Sequence, residues 1–63
     1  MTFDEFSDRA DAYAFKLANE LGSSIDDGEA FPGDMECAYT LVDGRTLSIK
    51  LEGEKLVTRI FQN

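Results

Sequence analysis

From Phe3 onward the chain sets Phe6, Ala10, Tyr13, Ala14, Leu17 and Leu21 at steps of three and four residues. That spacing stacks side chains on one face of an α-helix. Thr2 stands three residues before Glu5, which reads as a capping box in which each residue bonds an otherwise unpaired N–H of the other. Asp4, Glu5 and Asp8 suit the positive end of the helix dipole, and Gly22 fits a left-handed C-terminal cap. The pattern predicts a helix over about 3–21.

Residues 22–34, GSSIDDGEAFPGD, hold three of the five glycines, the proline and four acids, without sustained periodicity. The expectation is a long loop, pinned to the core by Ile25 and Phe31, and loops of this length are often functional. Beyond it Met35, Cys37, Tyr39 and Leu41 alternate with more polar residues, as do Leu47, Ile49 and Leu51, the period of half-buried strands. Parity then decides the turns. A two-residue Asp43-Gly44 loop would send the two apolar sets to opposite faces, whereas a three-residue Val42-Asp43-Gly44 loop pairs Tyr39 with Leu47 and Cys37 with Ile49. Gly53-Glu54 suits a type II′ turn with glycine first, setting Leu56 opposite Leu51 and Ile60 opposite Leu47. Strands are expected at about 35–41, 45–51 and 55–61. The predicted architecture is α+β, one N-terminal helix on a three-stranded antiparallel meander (αβββ), as a single domain over 1–63. Its outer sheet face would show Thr46, Ser48, Lys50, Val57, Arg59 and Phe61.

Sixty-three residues make at most one domain, which buries only about 60 % of its unfolded surface. The longest apolar run is a few residues, so neither a membrane span nor a secretory signal is expected. Cys37 is the lone cysteine and cannot form an internal disulfide, which suits a reducing, cytoplasmic setting. It alternates with core residues and reads as an inert buried thiol. Absence of histidine removes the usual general base and zinc ligand, and no phosphate-cradling glycine motif is present. Asp26, Asp27, Glu29, Asp34 and Glu36 cluster around glycines without EF-hand spacing. The expectation is a non-enzymatic protein with no cofactor and no metal.

Charge changes the picture most. Thirteen acids against six bases give a net charge of −7, which disfavours direct binding of nucleic acid. Residues 1–36 hold ten acids and two bases, and residues 37–63 hold three and four. Solubility alone would be served by charge spread evenly, so one half looks adapted to meet a basic surface. On the helix, Asp4, Asp8 and Asp11 line a stripe nearly opposite the apolar face, with Phe15 in its middle. Two readings stand: a solvated acidic face with Phe15 folded sideways, or a recognition surface with carboxylates for Arg and Lys and Phe15 as apolar anchor. The stripe spaces its carboxylates by roughly 5 to 6 Å, comparable with successive phosphates of a nucleic acid strand.

In size, acidity, lack of catalytic residues and acidic arrays (Asp4-Glu5, Asp8, Asp11, and Asp26-Asp27-Gly28-Glu29), the chain resembles small phage-encoded inhibitors, including anti-CRISPR proteins and other DNA mimics. The resemblance is one of composition and covers the first 36 residues best. It implies a stoichiometric inhibitor that blocks a basic nucleic-acid-binding site on a protein or ribonucleoprotein such as a CRISPR effector in the bacterial cytoplasm. Asp4, Asp8, Asp11, Asp26, Asp27 and Glu29 would supply charge and Phe15 the anchor. The alternative is an antitoxin-like or adaptor module that binds through the outer sheet face.

Overall fold

Residues 1–62 are described by the structure, a computed structural model. Helix α1 spans Phe3–Glu20. The capping box forms as read: the Glu5 N–H donates to Thr2 Oγ1 at 3.2 Å and the Thr2 N–H donates to Glu5 Oε1 at 3.3 Å. The bond to the Thr2 backbone, above all, holds the Glu5 carboxyl below its ordinary pKa. At the other end Gly22 is left-handed (φ 73°), and the Gly22 and Ser23 N–H groups donate to the Asn19 and Ala18 carbonyls. These two bonds make a Schellman motif, which satisfies carbonyls that the helix leaves open.

Phe6, Ala10, Ala14 and Ala18 are the buried residues of α1. Three alanines at four-residue steps let the helix approach the sheet closely, and Phe6 fills the space near its start. The apolar stripe is therefore rotated slightly from the expected one: Ala18 joins the core, while Tyr13 is 41 % exposed.

The sheet has four strands rather than three. Strand β1 (Ile25–Phe31) lies in the segment expected to be a loop, followed by a 3-10 turn at Pro32–Asp34, then β2 (Glu36–Leu41), β3 (Thr46–Glu52) and β4 (Lys55–Phe61). All neighbours are antiparallel in the order β1-β2-β3-β4. The strand β1 was hidden because its inward positions carry almost no apolar signal. Gly28 lies opposite Tyr39, and a Cβ there would sit 3.4 Å from Tyr39 Cδ1, so the tyrosine ring fills the place of a β1 side chain. A register shift between Ile25 and Asp27 breaks the alternation further. Ile25 packs against the core as expected, but Phe31 pairs with Glu36 and is 37 % exposed. Parity puts it on the outer face.

The hairpin registers match the parity argument. Tyr39 pairs with Leu47, Cys37 with Ile49, Leu51 with Leu56 and Leu47 with Ile60. Gly44 and Gly53 have φ of 95° and 66°, the left-handed values those tight turns require. Leu41, Leu47 and Ile49 are fully buried with Phe6, each contributing about 1.5–3 kcal/mol on burial. Cys37 is also buried. Helix α1 lies chiefly on β1, β2 and β3. Consequently the inward residues of β4 are only partly covered, and Ile60 is 45 % exposed.

Candidate protein-interaction surface

Asp4, Asp8, Asp11, Phe15, Asp26, Asp27 and Glu29 are all exposed. Phe15 is 72 % exposed, so it does not fold into the core. Asp11, by contrast, is not a free carboxylate of the stripe: it accepts a 2.5 Å hydrogen bond from the Tyr39 hydroxyl on β2. Burial first, and this bond second, push the Tyr39 phenol well above its ordinary pKa. The helical angle of Tyr39's partner was readable from sequence, but no sequence signal paired it with a tyrosine 28 positions away.

That bond also orients the helix. The Ser7 and Asp11 flank faces β1, where these residues line a cleft of about 250 Å³ with Gly28, Glu29, Ala30, Cys37 and Tyr39. The opposite flank, with Glu5 and Arg9, lies near Leu51, Gly53 and Glu54 at the β3–β4 turn. Tyr13 falls one turn beyond Arg9 on that second flank, which accounts for its exposure. The acidic stripe is thus turned toward the β1 side.

Backbone geometry shows what β1 offers there. The Val42 N–H donates to the Ser24 carbonyl, and with Asp27, Glu29 and Phe31 opposite Thr40, Ala38 and Glu36 the alternation of an antiparallel ladder points the amides of Gly28 and Ala30 away from β2. The outward Gly28 N–H is taken by Asp27 Oδ1 at 2.9 Å. Asp27 and Glu29 also border a shallow depression on the outer face with Ala38, Thr40 and Thr46. Two elements far apart in sequence thereby meet at one acidic edge, the rim, where Asp11 and Glu29 line the same cleft and Asp27 lies beside them. Among the described residues the one ion pair joins Arg45 to Asp43 at 2.6 Å, so no rim carboxylate is neutralised by a salt bridge within the chain.

Arg45 has a separate structural task. It donates to Asp43, holding that carboxyl down at about 2, and to the Leu21 carbonyl at 3.1 Å, which ties the β2–β3 turn to the end of the helix. Two of the remaining strand cations lie on the outer face of β3 and β4, away from the β1 edge. Lys50 and Arg59 border a cleft of about 210 Å³ on the outer face with Glu36, Ser48, Glu52 and Val57. Ser48 Oγ donates to the Glu36 carboxylate there. No group of three or more His, Cys, Asp or Glu side chains comes together to hold a metal among the described residues, and no described helix is long and apolar enough to cross a membrane. No protein family, curated protein or solved structure matches the chain.

Proposed function

We propose that this domain is a non-enzymatic binding protein whose acidic rim covers a basic, nucleic-acid-handling surface on a partner, acting as a stoichiometric inhibitor of the anti-CRISPR or DNA-mimic kind. One observation carries this reading. The helix stripe and the β1 acids, read separately in the sequence, meet where Asp11 and Glu29 line one cleft, without ion pairs among the described residues, and Phe15, one turn beyond Asp11, is exposed. Unpaired carboxylates around an apolar anchor are what a basic cleft recognises. The closing experiment is competition: adding the domain at equimolar ratio to a CRISPR effector ribonucleoprotein should displace its target DNA, with an effect that falls steeply as salt rises. Reversing Asp4, Asp8, Asp27 and Glu29 to Lys should abolish displacement. Asp11 is left intact because it anchors Tyr39. A folded quadruple variant that competes as well as the natural sequence at low salt would overturn the rim.

The second reading, an adaptor that docks through the outer sheet face, draws on the same structure. Among the described residues no helix covers that face, and Phe31 and Phe61 are 37 % and 50 % exposed. Binding there would resist salt and survive the four reversals, yet fail on Phe61→Ala.

A further inference from the structure

Strand β4 is the opposite edge of the sheet, and its backbone is fully specified by the ladders. The Leu41 N–H donates to the Arg45 carbonyl and the Leu51 N–H to the Met35 carbonyl, so the odd-numbered residues of β3 bond β2. Thr46, Ser48, Lys50 and Glu52 therefore bond β4 through Phe61, Arg59, Val57 and Lys55, and the amides of Leu56, Thr58 and Ile60 point outward. This edge runs seven residues with no proline and no bulge.

We propose that β4 pairs antiparallel with β4 of a second copy, centred on Thr58, to make one continuous eight-stranded sheet. In that register Thr58 faces its own counterpart and Leu56 faces Ile60 of the other chain. These three pairs expose the right amides to each other and give about six hydrogen bonds between the chains. Ile60, half exposed in the monomer, gains an apolar neighbour. Thr58 lies between Leu56 and Ile60 on the inner face, and opposed threonines are a favourable cross-strand pair. On the outer face Lys55 meets Phe61 and Arg59 meets Val57, so no like charges stand directly opposite. The acidic rims end up at the two far edges, about 34 Å apart at ordinary strand spacing and well beyond the screening length of about 8 Å in physiological salt.

Pairing of β4 with β1 of another copy would be favoured by charge, but the β1 edge is kinked by its register shift and its Gly28 amide is occupied. The dimer is accordingly closed rather than a filament. With seven residues a side it falls at the small end of specific interfaces, so its mass should rise with concentration.

Sedimentation of the full chain at sub-millimolar concentration should give twice the 7.0 kDa monomer mass. Thr58→Pro removes an outward N–H that no strand of the chain uses, which an edge strand tolerates, and Ile60→Lys puts a charge at the seam. Both should remain folded by circular dichroism and sediment as monomers. Val57→Cys and Arg59→Cys combined in one chain should cross-link two copies on oxidation, because in this register they form a non-hydrogen-bonded pair, whose Cα atoms lie about 4.5 Å apart with the side chains close, within disulfide range. Val57→Cys alone should not. A natural chain that stays monomeric, or dimers that persist in both edge variants, would overturn the proposal.

Discussion

The two edges of this sheet solve the same problem differently. Edge strands present unpaired amides that recruit other strands. At β1 the chain uses a register shift, three acids and the Asp27 carboxylate on the outward Gly28 amide, so that the edge repels strands and is left to present charge. At β4 it uses none of these devices, and the helix is set back from it. Negative charge and edge protection therefore coincide on one side, while accessible backbone and half-covered apolar side chains coincide on the other. One sheet can in this way offer two surfaces of different chemistry, with the core under β1 to β3 keeping them apart.

The largest test of that division compares two residues that face each other. Leu47 is fully buried and Ile60, its cross-strand partner, is half exposed. Leu47→Ala should cost on the order of 2–5 kcal/mol, enough to unfold much of so small a domain. Ile60→Ala should cost about 1 kcal/mol or less in the monomer. Denaturant midpoints at low protein concentration measure both, and equal losses would mean that the helix covers β4 as fully as β3.

A smaller effect sharpens the β1 side. Tyr39→Phe removes the bond to Asp11 that holds the acidic flank over β1, at about 1.5–3 kcal/mol for a hydrogen bond to a charged group. Because the folded state raises the Tyr39 pKa, the stability it lends is complete below the free phenol value of about 10 and declines as pH rises beyond it. Stability profiles between neutral and strongly alkaline pH should fall for the natural chain and be flatter for Tyr39→Phe. If the two profiles run parallel, the phenol is not linked to folding.

Much of this arrangement was legible in the sequence. The helix, its caps and both β-hairpin registers follow from periodicity and turn parity, because each apolar side chain there reports its own position. What stayed hidden was written in side chains that are missing or shared. Gly28 conceals β1 because Tyr39 supplies the ring that packs there, and Asp11 looks like solvated charge until Tyr39 is brought to it. Helical angle placed Phe15 correctly outside the core, but which side of the sheet its stripe overlooks depended on the fourth strand.

Two still smaller effects probe the rim. Asp27→Ala should change stability within about 0.5 kcal/mol, since water can reach the Gly28 amide, yet it should make β1 adhesive, visible as added species larger than a dimer by light scattering. Unchanged scattering would show that the register shift alone protects the edge. Phe15→Ala should be the mildest in stability, again within about 0.5 kcal/mol, while weakening partner binding by about 2 kcal/mol or more. A loss of stability comparable with that of Leu47→Ala would return Phe15 to the core.

The simple strand order has a kinetic consequence. Every strand pairs with its sequence neighbour through a short connection, so the sheet can grow by successive hairpin closures without bringing distant segments together first. Loop-closure entropy is then met in small steps, and low contact order favours rapid folding. Refolding from denaturant should follow a single exponential on about the millisecond scale or faster. Docking of α1 is the step with the longest reach along the chain, since Phe6 shares one core cluster with Leu47 and Ile49. Truncating Phe6 should therefore report how early that long-range closure occurs, by whether it slows folding or only hastens unfolding.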